Sequence, residues 1–291
     1  MEKQRFLLEA KTRDRSTYLG GSDVAAILGL SKYKSALDVY NAKLLPSEKD
    51  EDKFIFRAGR HNESFILDEY CAEFNIVDNI RDCNAYLIDY PYIGCQIDLY
   101  SREQDDRIRL ADAKMVAITR LNQFGEAGTS DVPADILCQI ALQRFVTDAY
   151  RVDVPCMFYP QEIRTFTYYE NEELETAIFD SLQAFWKNHI LKASPPSAIN
   201  FEDFKKLYPI DNGLTIDVDY NAVKLIEEIK IYKNAESEAR KLKEEKEIEL
   251  KKIFGANQSL KYGGNIIATL RTVERKAFSV KESSSRVLRL M

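Results

Sequence analysis

The stretches CQIDLY (95–100) and LADAKM (110–115) decide how this chain is read. A β-strand sends residues i and i+2 to the same face, so Asp112 and Lys114 emerge together, along with Ile108 and Leu110. That face carries apolar residues and then a charge pair. The segments YIGCQIDLY (92–100) and RIRLADAKM (107–115) are joined by a short polar loop whose length suits an antiparallel hairpin, which stands Asp98 beside Asp112. Two carboxylates facing each other at the end of an apolar hairpin repel and lose hydration unless a cation lies between them. A divalent metal meets that need. Hard oxygen donors, with no histidine or thiolate nearby, suit Mg²⁺ or Mn²⁺ better than zinc. Lys114, one pleat along, can orient a water and offset charge on a phosphoryl group. An ordinary Asp–Lys ion pair on a surface hairpin explains the same D-x-K spacing, and both readings stand at this point.

Composition narrows the field. The chain has 291 residues, 45% hydrophobic and 30% charged, which is enough for one substantial core and an appendage. No apolar run reaches the roughly 18–20 residues of a membrane span, and the first residues lack a signal-peptide stretch, so a soluble, cytoplasmic protein is expected. The five cysteines (Cys71, Cys83, Cys95, Cys138 and Cys156) are scattered without a C-x-x-C pair, which argues against disulfides, structural zinc and iron–sulfur clusters. Only His61 and His189 are present, and no phosphate loop of the Walker type appears. Net charge is −6, yet residues 253–291 hold seven Lys or Arg against two Glu, or +5, leaving −11 on residues 1–252. An acidic body with a basic tail can bind nucleic acid locally.

Three further segments bear on the charge pair. In RAGRHNESFILDEYCAEF (57–74) the residues Ile66, Leu67, Tyr70, Cys71 and Phe74 repeat at helical spacing, and Glu63 falls on the same inward stripe, as a third carboxylate or as a helix cap. In ADILCQIALQRFVTDAY (134–150), Asp135, Gln139 and Gln143 align at i, i+4, i+8 beside Ile136, Leu137, Ile140 and Phe145. Such glutamines border a core or donate to a phosphate or an attacking water. In RDRSTYLGGSDVAAILG (13–29), Ser22 reads as an N-cap, Asp23 lies in the first turn and Gly29 closes the helix, while Gly20 and Gly21 permit close backbone approach. A helix N-terminus with Arg15 can hold a phosphate, although plain capping accounts for the same residues.

The order of elements predicts a mixed α/β (α+β) domain with a central mixed sheet flanked by helices. Helices are expected near 22–29, 35–44, 57–75, 134–149 and 172–191, and strands near 84–89, 93–100, 107–115, 153–159 and 163–169. Pro195-Pro196 marks a boundary, giving a domain over 1–197 and an extension over 198–291. That extension reads as a long charged helix over 219–253, then a basic β-hairpin about Gly263-Gly264.

Taken in order and spacing, GGSDVAAILGLSKYKSALDVY, AGRHNESFILDEY, YIGCQIDLY…LADAKM and DILCQIALQRFVT resemble the YqaJ-type viral recombinase family, the phage lambda exonuclease-like branch of the PD-(D/E)XK nucleases. The resemblance spans roughly residues 13–197. It implies that Asp98 and Asp112 are the motif acids, Lys114 the motif lysine and the Ala113 carbonyl a metal ligand. Glu63 corresponds to the helix acid near a second metal, Gln139 to the motif glutamine, and Arg15 with Ser22 to the pair that holds the 5′-phosphate of a DNA end. Ile97 replaces the proline expected before Asp98, and Leu99 stands where glycine is frequent, which puts hairpin shape rather than metal chemistry in question.

The implied activity is Mg²⁺-dependent (or Mn²⁺-dependent) 5′-to-3′ digestion of duplex DNA ends in phage-type recombination. A single-strand annealing protein is the implied partner, and a ring-shaped trimer the implied assembly. Two alternatives are kept: an endonuclease of the same fold in DNA processing or defence, and a non-catalytic DNA-binding or annealing-partner scaffold.

Overall fold

A computed structural model of the protein describes residues 5–11, 13–45, 54–159 and 162–274. In chain order the elements are β1 (Phe6–Glu9), α1 (Gly21–Ile27), α2 (Ala36–Leu44), α3 (Phe54–Phe74), β2 (Asn79–Leu87), β3 (Gly94–Arg102), β4 (Ile108–Ala111), β5 (Lys114–Ala117), α4 (Ala134–Thr147), β6 (Arg151–Tyr159), β7 (Glu162–Tyr169), α5 (Glu172–Phe185), α6 (Phe201–Leu207), α7 (Tyr220–Phe254), β8 (Ser259–Tyr262) and β9 (Asn265–Thr269). By contact, the chain divides into two compact units, Met1–Asp203 and Phe204–Met291.

In the first unit β1 to β4 form an antiparallel meander, β6 runs parallel to both β4 and β5, and β7 pairs antiparallel with the other side of β6. The expected mixed sheet is therefore present. β1 was not legible in the sequence, because a four-residue edge strand offers too few alternations to separate it from loop.

The strand expected over 107–115 is a single path along β6, with Arg109 opposite Arg151 and Lys114 opposite Cys156 at one constant offset, but it is interrupted at Asp112 and Ala113. The Asp112 N–H donates to the Asp153 carbonyl at 2.9 Å. In a parallel ladder of that register the Asp112 carbonyl would accept from the amide of residue 155, and residue 155 is proline, which has none. Pairing between β3 and β4 ends at the same level, with Leu99 opposite Ala111. The two central strands thus part at Asp98 and Asp112.

Helices cover both faces of this sheet. Successive strand residues point to opposite sides, and Leu110 belongs to one buried cluster while Ala111 belongs to another. Ala111 packs with Leu99 and Met157 beneath Ile66, Leu67 and Tyr70 of α3. Leu110 packs with Val152, Val154 and Phe158 beneath Ile136, Ile140 and Phe145 of α4 and Ile178 and Leu182 of α5. Each fully buried Leu, Ile or Phe contributes about 1.5–3 kcal/mol of transfer free energy. The sheet is therefore fastened from both sides around its break. Four of the five cysteines are buried and all are unbridged.

α4 ends at Asp148, whose φ of 50° is a left-handed stop. α5 begins with the Asn171 side chain accepting from the Leu174 amide at 3.0 Å and ends in a π turn over Trp186–Ile190. In the second unit, Asp219 caps α7 by accepting from the Ala222 amide at 3.2 Å, and the helix stops at Gly255 with φ 53°. β8 and β9 form the hairpin expected about Gly263 and Gly264, whose φ values of 56° and 83° favour glycine. The rest of that expected hairpin, over 275–280, lies outside the described residues. Among the described residues no helix is long and apolar enough to cross a membrane.

Candidate active site

The parting of β3 from β4 brings three of the sequence-selected groups together. Ala113 follows the last ladder pair, so its amide has lost its strand partner, and the Asp98 carboxylate accepts from it at 2.9 Å. Backbone groups of successive strand residues point to opposite edges. Asp112 turns its N–H to β6, and Ala113 turns its N–H toward Asp98. Asp112 is fully buried, and one of its oxygens accepts from both the Gln139 and Gln143 amides, at 2.7 and 2.8 Å. The Gln143 amide also donates to the Gln96 carbonyl at 2.9 Å, tying α4 to β3. The other Asp112 oxygen is ion-paired with Lys114.

The electrostatics follow from this crowding. Burial, reinforced by Asp112, holds the Asp98 carboxyl well above the ordinary carboxylate range, with Lys114 opposing. Glu63 on α3 is raised by burial and by Asp82 and Asp112. Burial disfavours the Lys114 ammonium, but Asp112 and Asp98 outweigh it and raise its pKa. At neutral pH Lys114 is therefore a fixed cation rather than a proton acceptor.

The donors fit a hard divalent cation. The Asp98 and Asp112 carboxylates interact closely enough to perturb one another, and the Asp112 oxygen away from the glutamines has no hydrogen bond beyond its pairing with Lys114. Among the described residues no three His, Cys, Asp or Glu side chains converge. The set is thus two acids, with Glu63 close enough to interact electrostatically with them.

A cavity of about 230 Å³ adjoins this site, lined by Arg15, Gly21, Ser22, Gln96, Gln139 and Gln143. The Arg15 guanidinium donates to Ser22 Oγ at 3.0 Å and to the Tyr18 hydroxyl at 2.9 Å. Ser22 is not the N-cap expected from the sequence. The N-cap is Gly20, two residues earlier, and Asp23 completes the cap by accepting from the Gly20 amide at 3.0 Å. Ser22 is thereby free to face Arg15. At seven residues α1 is also too short to supply much dipole, so any anion held here depends on the Arg15 charge. Gly21 is required by proximity, since a Cβ there would lie 2.7 Å from Gln139 Cγ.

Residues 12–150 match the family model of the YqaJ-like viral recombinase domain. Over that stretch the chain is similar to the YqaJ-like viral recombinase domain. Its limits enclose Arg15, Ser22, Glu63, Asp98, Asp112, Ala113, Lys114, Gln139 and Gln143, and stop before β6. Among solved structures the chain is similar to LHK-Exo in complex with dAMP and to the alkaline exonuclease LHK-Exo from Laribacter hongkongensis. Both are 13% identical and cover 66% of this chain and 94% of theirs, with TM-scores of 0.46 and 0.45. The structure of SSO0001 is also 13% identical, covering 64% of this chain and 81% of its own, at a TM-score of 0.35. No curated protein matches.

Two features of the first unit escaped the sequence reading. Lys43 of α2 is buried, with its ammonium on Asp23 at 2.9 Å and on the Arg15 carbonyl at 2.7 Å. Tyr70, Arg109 and Asp153 form a buried network in which the Tyr70 hydroxyl donates to Asp153 at 2.5 Å and Arg109 Nε to the same oxygen at 2.9 Å. Both join residues far apart in the chain, and each residue alone reads as an ordinary helix or strand member.

Proposed function

We propose that the protein is a Mg²⁺-dependent deoxyribonuclease acting as a 5′-to-3′ exonuclease on duplex DNA ends in phage-type recombination. The observation that carries this reading is the shared wall: Gln139 and Gln143, which hold Asp112, also line the Arg15–Ser22 cavity. A terminal phosphate in that cavity would set the register of the adjoining phosphodiester at the carboxylates. An internal cut needs no such holder.

Asp98, Asp112 and the Ala113 carbonyl would hold the cation, with Glu63 serving a second one directly or through water. When bound, such an ion supplies Lewis-acid polarisation of the phosphoryl group and a more acidic water. The chain's own groups do the rest. Gln139 and Gln143 fix one Asp112 oxygen and leave the other to face the reacting centre. Lys114, kept protonated by its two acidic neighbours, donates to the attacking water and offsets charge developing on the phosphoryl oxygens. Arg15 and Ser22 hold the 5′-phosphate by charge-assisted hydrogen bonds. Residues 198–291 add DNA affinity or oligomer contacts, with a ring-shaped homotrimer and a single-strand annealing protein as the expected assembly and partner.

The test is digestion of end-labelled linear duplex and of closed circular duplex with Mg²⁺, with and without EDTA. Linear substrate should shorten from its 5′ ends only when Mg²⁺ is free, and the circle should survive. Cleavage of the circle would establish the endonuclease reading. Binding without turnover would establish the scaffold.

A further inference from the structure

The Arg15–Ser22 cavity has a charge problem. Asp23 lies beneath it, almost fully buried, and its carboxylate comes within 3.5 Å of the Arg15 guanidinium. Left alone, that carboxylate would cancel Arg15, the only cation lining the cavity among the described residues, and draw the guanidinium down onto itself. An incoming phosphate would then meet a neutral pair.

Lys43 changes this balance from below. Its side chain is 2% exposed, and its ammonium lies 2.9 Å from the same Asp23 oxygen. It also donates to the Arg15 backbone carbonyl at 2.7 Å, pinning the residue whose side chain faces the cavity. The three groups carry two positive charges and one negative, so a net charge of +1 remains, and it sits on the exposed member, Arg15. Burying a lysine and an aspartate side by side gains little stability over an apolar pair of the same size. The arrangement makes sense as a means of keeping Arg15 available.

We infer that Lys43 is a positioning residue for the 5′-phosphate: by neutralising Asp23 from the buried side, it leaves the Arg15 charge free for the terminal phosphate of the DNA. This rests on the reading of the cavity as an end-phosphate site. Lys43 itself does not touch the substrate.

The readout is the ratio of initial rates on 5′-phosphorylated and 5′-hydroxyl linear duplex, measured on the full chain with Mg²⁺. Lys43→Met should lower that ratio by roughly tenfold, the scale of one charge-assisted contact. Asp23→Asn should raise it, because it removes the competing anion and leaves both cations. The double variant Lys43→Met/Asp23→Asn should return it to within about threefold of wild type, since Arg15 again has no buried competitor.

If Lys43→Met does not fold, the other two variants still decide. A ratio that falls in Asp23→Asn, or that stays collapsed in the double variant, would show that the pair is only a scaffold and overturn the inference. A wild-type ratio of one would instead remove the end-phosphate reading itself, and the inference with it. A wild-type preference that survives in a folded Lys43→Met protein would overturn the inference alone.

Discussion

Asp98 is a carboxyl whose burial beside Asp112 raises it well above the ordinary carboxylate range, so the folded metal-free protein holds a proton there at pH values where the unfolded chain has lost it. In that window the native state binds more protons than the unfolded state, and stability must rise as pH falls and decline as pH rises. Thermal melts in EDTA from about pH 8 to about pH 5 should show that slope. Asp98→Asn, which can still accept from the Ala113 amide, should flatten it and raise the neutral-pH melting temperature. A lower neutral-pH melting temperature in Asp98→Asn would contradict this account. The same crowding separates two substitutions nearby. Asp112→Ala should weaken Mg²⁺ binding measured by calorimetry, whereas Lys114→Ala should leave that affinity largely intact and cut turnover by about 10²-fold or more. At this scale the sequence was informative for Asp98, Asp112 and Lys114, because strand alternation and hairpin length are local signals. It was silent on Lys43, whose partners Arg15 and Asp23 lie on other elements. A lysine on a short helix ordinarily reads as a solvated residue.

Among the elements, the break between β4 and β5 shapes the site, and its cause lies on β6. Pro155 offers no N–H to the Asp112 carbonyl. Pro155→Ala supplies one, so hydrogen exchange should find the new residue-155 amide protected, and the tightened strand should lower turnover. The sequence suggested one strand over 107–115 because hydrophobic alternation continues through Asp112. The interruption was illegible, because it depends on which residue of a distant strand falls opposite. The start of α1 was misjudged for a related reason: Ser22 is a good N-cap by type, but Asp23 reaches back to Gly20 and sets the cap two residues earlier. Close packing of α1 on α4 follows from that start. Gly21→Ala would place its Cβ 2.7 Å from Gln139 Cγ and 3.3 Å from Gln139 Cα. Chemical denaturation should register a loss of about 1–3 kcal/mol.

Over the whole chain, the mixed sheet apart from its edge strand β1 and the covering helices were legible from periodicity, and the long α7 from its length and mixed charge. Residues 253–291 carry +5 by sequence. Deleting them should reduce the steepness with which DNA affinity falls with salt, since fewer phosphate counterions are released on binding. An unchanged slope would assign DNA binding entirely to residues 1–252. The choice of end-point for a shorter chain is constrained from elsewhere. Asp203 is 1% exposed and accepts from the Ser35 hydroxyl at 2.7 Å, while Ser35 in turn caps α2 by accepting from the Asp38 amide at 3.2 Å. A chain ending at Ser197 forfeits this buried bond and should be less stable than one ending at Leu207 by about 1–3 kcal/mol.

That single carboxylate also bears on how the protein is made. Domains fold as they leave the ribosome, beginning at the N-terminus, and β1 to β7, α4 and α5 have all been synthesised before Asp203. The hydroxyl of Ser35 nonetheless waits for a residue 168 positions later. A ribosome stalled at Pro195-Pro196 would hold a nascent chain whose second helix still lacks its last buried partner, and protease sensitivity near Ser35 should persist until Asp203 emerges.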